Sequence, residues 1–122
     1  MGKRVLVADD HAGFRGAVRL LLEKGGVEVV GEVADGASAI VAARRLLPDV
    51  VILDVDLPDT SGFDVAAELS EQRLAPLTIL VSSRKGPGDD ERALAVGAHA
   101  YLDKADLDAD SLDALIEAGG SS

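Results

Sequence analysis

At 122 residues the chain suffices for one domain, which would bury roughly two thirds of the surface its unfolded form exposes. Hydrophobic residues make up 48% but aromatic ones only 2%, so the core has to be built from Val, Leu, Ile and Ala, as buried parallel strands under covering helices require. The 22 acidic against 12 basic residues leave a net charge of -10, which repels nucleic-acid backbones and anionic membranes, and the lack of cysteine excludes disulfides and thiolate metal sites.

Short apolar runs alternate along the chain with segments of helical period. "RVLVA" (Arg4 to Ala8) predicts a buried strand that runs into Asp9 and Asp10. From Ala12 to Lys24 the residues Phe14, Val18, Leu21 and Leu22 recur at helical spacing until "GG" stops the helix. "VEVVGEVA" predicts a second strand, half alternating and therefore nearer an edge. Ala37 to Leu47 predicts an alanine-rich helix closed by Pro48, and "VVILD" (Val50 to Asp54) a third strand. Ser61 is the expected cap of a helix over Gly62 to Leu69, and "LTILVS" is a fourth strand. "RKGPGDD" reads as a loop, "DERALAVG" as a short helix and "AYLDK" as a fifth strand. A last amphipathic helix is expected over Ser111 to Ala118, capped by Asp110. The domain then spans 1–118, with "GGSS" (119–122) as a flexible tail. No apolar stretch approaches the ~20 residues of a membrane span, and "MGKRVLVADD" reaches acidic residues too early for a signal peptide. A cytoplasmic protein is expected.

Five strands each followed by a helix predict an α/β fold with a doubly wound, five-stranded parallel sheet. Ligands of such sheets sit at the carboxyl ends of the strands. Asp9 and Asp10 end strand one, Asp54 strand three, Ser82 strand four and Lys104 strand five, so residues far apart in sequence converge there. Each has a plainer reading: aspartates after strands are common turn formers and helix caps, a lone lysine is usually a solvated surface residue, and a serine can bond a nearby carbonyl. Together they are harder to dismiss. Carboxylates about 4 Å apart repel by about 4 kcal/mol at an effective dielectric of 20 unless a cation bridges them. Oxygen-only ligands with no His or Cys nearby are expected and suit a hard ion, and a small site of two or three carboxylates completed by water and phosphate points to Mg²⁺ rather than Ca²⁺. Asp54 is then the candidate nucleophile for phosphoryl transfer, with Lys104 on one phosphoryl oxygen and Ser82 on another.

The segments "VLVADDH", "VVILDVDLP", "TILVSS" and "AYLDKA", in this order and over nearly the whole chain, resemble the receiver domain of two-component response regulators. The resemblance implies a flavodoxin-like sheet in strand order 2-1-3-4-5, in which Asp9, Asp10 and Asp54 bind Mg²⁺ with the backbone carbonyl of Asp56. It further implies that Asp54 accepts a phosphoryl group from a histidine kinase or phosphotransfer protein, that Lys104 contacts the phosphate, and that Ser82 and Tyr101 relay its presence, Tyr101 moving inward. The relay would reach an output protein through the face of helix four, strand five and helix five. "DDHAGFR" and "VEVVGEVADG" resemble the NarL/FixJ-type subgroup, whose members often carry a DNA-binding domain after the receiver. Either a stand-alone regulator or a receiver separated from its output part is expected; the acidic balance makes direct nucleic-acid binding by this domain unexpected, and a phosphorylation-dependent homodimer is left open.

Departures from the pattern are Ser82 in place of the usual Thr, and Ala105 in place of a frequent Pro after the lysine. Asp56 and Arg84 are expected to pair across the pocket mouth and lengthen the phosphate's lifetime. On sequence alone Tyr101 reads equally as a half-buried packing residue, and His11 as a helix-start residue rather than a ligand. Two alternatives are a haloacid dehalogenase-like phosphatase, from the D-x-D pattern of Asp54 and Asp56, and a degenerate receiver that is never phosphorylated. The acidic pair Asp9 and Asp10 precedes the nucleophile strand, which is the wrong order for the phosphatase.

Overall fold

A computed structural model describes residues 2–84 and 86–120. Five parallel strands alternate with helices: β1 (Arg4–Ala8), α1 (Ala12–Lys24), β2 (Glu28–Val33), α2 (Gly36–Leu46), β3 (Val50–Asp54), α3 (Gly62–Ser70), β4 (Leu77–Ser82), α4 (Asp89–Ala95), β5 (Ala100–Asp103) and α5 (Ala109–Gly120). The sheet order is β2-β1-β3-β4-β5, as the resemblance implies, with β2 at one edge.

The strands alternate their side chains between two helical layers. Leu6 and Ala8 of β1, Val51 and Leu53 of β3, and Leu80 of β4 pack beneath α2, α3 and α4 around Phe63 and Leu69. Val5, Val7, Val50, Ile52, Ile79 and Val81 point the other way, against Val18 and Leu22 of α1 and Leu112 and Ile116 of α5. All five residues of β3 are buried, which is why that strand reads as a continuous apolar run and not as an alternating one.

Several boundaries differ from the sequence expectation. The second helix begins at Gly36, where the Asp35 carboxylate accepts the Ser38 N–H at 2.7 Å. It ends at Leu46, because Leu47 takes a left-handed conformation (φ 48°) that no helix continues. Lys104 is not the last residue of β5 but opens a 3-10 turn, Lys104–Asp106. Finally α5 starts at Ala109, and its cap is Asp108, whose carboxylate accepts the Ser111 N–H at 2.7 Å, rather than Asp110. That helix also runs on to Gly120; of the expected tail, Ser121 and Ser122 lie outside the described residues. No peptide bond among the described residues is cis, so the Lys104–Ala105 bond is trans.

One long-range cap holds the top of α2. Asp59, from the loop after β3, accepts the N–H groups of Gly36 at 2.8 Å and Ala37 at 3.0 Å. These two donors hold the Asp59 carboxyl below its usual range. A depressed carboxyl contributes stability that is present above its unfolded value and is lost as pH falls through its folded value. Asp59→Ala is therefore expected to lower the urea midpoint at neutral pH. The deficit against wild type should shrink steadily as both are titrated into acid.

Candidate functional site

The carboxyl ends of the strands deliver the charged residues to one pocket. Asp9 follows β1 directly and is fully buried, and Asp54, the last residue of β3, is only 1% exposed. The Lys104 ammonium lies 2.6 Å from Asp9 Oδ2 and 3.4 Å from Asp54 Oδ2, so it bridges the two carboxylates that repulsion would otherwise separate. Its stem is steered by Phe14 of α1, whose ring centroid is 4.3 Å from Nζ. The Asp56 N–H donates to Asp54 Oδ1 at 3.1 Å. Burial pushes the Asp54 carboxyl up, and the neighbouring Asp9 charge adds to this, against the Asp56 N–H and Lys104. Burial alone would lower Lys104, but Asp9 and Asp54 outweigh it and hold the ammonium above its ordinary range.

Loop geometry around Asp54 is set by glycine. The Gly62 N–H donates to the Val55 carbonyl at 2.8 Å, and Asp56 and Ser61 face each other in an isolated bridge. The loop from β3 to α3 therefore folds back on the strand end, and its helix begins almost in contact with Asp54.

Asp9, Asp10, His11 and Asp54 each offer a ligand atom, and these atoms all lie within 4.8 Å of one another. Asp9 Oδ2 is buried and is held by the Lys104 ammonium at 2.6 Å. The carboxylates of Asp9, Asp10 and Asp54, gathered this closely, make a cluster of hard oxygen donors that fits a divalent ion such as Mg²⁺.

Ser82 is buried, and its Oγ accepts the Arg84 N–H at 3.0 Å. Tyr101 is only 6% exposed: its ring meets Phe63 edge-on at 5.8 Å and its hydroxyl donates to Asp89 Oδ2 at 3.2 Å. Burial pushes the Tyr101 phenol up, with the Ser82 hydroxyl acting against it. The inward position expected only after phosphorylation is thus already occupied, because Phe63 and the first turn of α4 supply an apolar wall and an acceptor. Asp56 and Arg84 are both exposed, and among the described residues no ion pair joins them.

Several contributors escaped sequence reasoning. Arg15, four residues after His11, donates from Nη1 to the Asp9 carbonyl and binds Glu32 of β2 at 3.2 Å. Phe14, Asp59, Gly62 and Asp89 also shape the pocket. The one local hint was "TSGF", where a glycine directly after a serine cap is a poor helix former with no evident purpose.

Comparison with known proteins gives a consistent result. Residues 5–117 match the family model of the response regulator receiver domain. The transcriptional regulatory protein PdtaR of Mycobacterium tuberculosis is 40% identical over 102 residues, 84% of this chain and 49% of that protein. This chain thus spans about half the length of the curated relatives it matches. The solved signal receiver domain of NarL from the same organism superposes with a TM-score of 0.90 at 35% identity, covering 99% of this chain and 98% of that one. The response regulator domain of Thermotoga maritima CheB gives 0.89 at 26% identity, covering 100% and 98%. With its sheet order, its strand-end carboxylates and a match over nearly its full length, this chain belongs to the response regulator receiver domain family of two-component systems.

Proposed function

We propose that Asp54 is the phosphoacceptor of this receiver. The observation that carries this reading is the position of its carboxylate: buried at the end of a core strand, beside Asp9 and within 3.4 Å of the Lys104 ammonium. The donor is a phosphohistidine on a histidine kinase or phosphotransfer partner. An Asp54 oxygen attacks phosphorus, the P–N bond breaks, and the imidazole leaves with its electron pair and takes up a proton. Asp9, Asp10, Asp54 and the backbone carbonyl of Asp56 would hold Mg²⁺, which supplies charge neutralisation for the incoming phosphoryl group. Lys104 and the Ser82 hydroxyl are the donors for the phosphoryl oxygens, Lys104 turning from the Asp9 and Asp54 carboxylates and Ser82 directing its O–H to the phosphate.

The readout follows from those partners. When Ser82 turns to the phosphate, it releases the Arg84 N–H and changes what the Tyr101 hydroxyl meets, so the Ser82–Tyr101–Asp89 contacts rearrange between β4, β5 and α4. The face of α4, β5 and α5 then presents a different surface to an output protein. Among the described residues no helix is long and apolar enough to cross a membrane, which suits a cytoplasmic relay.

Incubation with acetyl phosphate and Mg²⁺, followed by intact mass measurement, should add one phosphoryl group to wild type and none to Asp54→Ala. Equal labelling of Asp54→Ala would remove Asp54 from the role, and no labelling of folded wild type would make the chain a binding module only.

A further inference from the structure

Leu47 is an unusual residue for its place. Directly after α2 its backbone is left-handed (φ 48°, ψ 58°), a conformation that helix ends usually give to glycine or asparagine because a side chain there strains the chain. Burial does not offset that strain, since the leucine is 51% exposed. Neither the backbone nor the core accounts for a large apolar side chain at this position.

The surface around it does. Leu74, after α3, is 66% exposed, and the two leucines together border two adjoining grooves of about 290 and 310 Å³. Leu47 stands three residues before β3 and Leu74 three before β4, so the grooves lie at the end of the parallel strands opposite to Asp54. Arg44 and Arg73 line the first groove. In a chain of net charge -10, α2 carries no acidic residue and has Arg44 and Arg45 as its only charges. Arg44 reaches Glu68 at 3.7 Å in an exposed pair of the kind that contributes little, and Arg73 meets no carboxylate among the described residues. The acid of the second groove, Asp49, is already engaged, because its Oδ2 accepts the Arg4 N–H at 2.8 Å. Gln72 lines the first groove as well, and its Nε2 is buried with no acceptor among the described residues.

We infer that this surface is a docking site for an acidic amphipathic segment of a partner protein. Apolar side chains of the segment seat between Leu47 and Leu74, its carboxylates meet Arg44 and Arg73, and one of its oxygens accepts from Gln72. A second copy of this chain suits the groove less well, since two bodies of net charge -10 repel each other. The inference does not rest on the phosphoacceptor reading, which concerns the other end of the sheet.

The test uses a fluorescein-labelled helical peptide with leucines on one face and glutamates on the other, titrated with the full chain and read by fluorescence anisotropy. A control peptide carries serines in place of the leucines. Wild type should bind the leucine peptide and not the serine one. Leu47→Gly should weaken binding at least about tenfold, the loss that follows when one leucine side chain is no longer covered. Glycine favours the left-handed backbone, so this variant should melt close to wild type. Arg73→Glu should weaken binding too and reduce its sensitivity to salt. No binding by folded wild type, or unchanged binding by either variant, would overturn the inference. Sedimentation reads the other occupant: a wild-type dimer that Leu47→Gly abolishes would make a second copy the ligand and overturn the assignment to a partner.

Discussion

Gly62→Ala is expected to destabilise the domain by at least about 3 kcal/mol, a large share of the 5–15 kcal/mol typical for a domain. A Cβ built at Gly62 would press into the Asp54 carbonyl, 2.7 Å from Val55 Cα and 2.9 Å from the Asp54 carbonyl carbon. These are backbone atoms of a buried strand and cannot rotate away as a side chain would. Either β3 shifts, which disturbs its pairing with β1 and β4, or α3 moves off the strand end and the 2.8 Å bond from the Gly62 N–H to Val55 is lost. The natural control is Gly16→Ala. Gly16 lies within α1 and a Cβ there meets nothing within 4 Å, so alanine should stabilise by about 0.5–1 kcal/mol. Urea unfolding of both variants reads the two signs directly, and a Gly62→Ala loss no larger than about 1 kcal/mol would show that the loop yields easily.

Asp54→Asn is expected to raise the melting temperature of the metal-free protein, by about 1 kcal/mol or roughly 3–5 °C. Burial and the Asp9 charge hold the Asp54 carboxyl above its ordinary value. A carboxyl raised by folding gives stability that is fully present below its unfolded value and is lost as pH rises through its folded value. Above its folded value the wild type carries this penalty, and asparagine removes it with almost no change of volume. Lys104 keeps its 2.6 Å contact with Asp9 in the variant. Mg²⁺ should reverse the order: at a hundredfold excess over its dissociation constant it stabilises wild type by about 2.7 kcal/mol, and Asp54→Asn should gain less. Melts of both proteins with and without the ion, at low ionic strength, give the comparison. A variant less stable than wild type without metal would mean that Asp54 is paired well enough to offset its burial.

The fold was legible because each buried strand is a compact apolar run and each helix carries its own period. The strand-end residues Asp9, Asp54, Ser82 and Lys104 were legible for a related reason, since topology alone brings the carboxyl ends of parallel strands together. What could not be read depends on angles between elements. Asp59 caps a helix 22 and 23 residues before it, Phe14 reaches Lys104 from α1, and Asp89 meets Tyr101 from the turn of α4. No local pattern encodes such meetings. The start of α5 was missed because Asp108 and Asp110 are equally good caps by composition, and the choice falls to whichever carboxylate the chain entering the helix aims at Ser111. His11 was assigned to a helix start correctly by position, while its side chain does something else.

The alternation of β5 gives the pocket two listeners. Tyr101 faces the layer of α3 and α4, Leu102 packs into the layer of α1 and α5, and Lys104, just beyond, lies over Phe14 on that second side. A displacement of this edge strand would therefore bear on two cores that the sheet keeps apart. Substitution in one core can alter the packing on one side of β5 while the packing on its other side stays as it is.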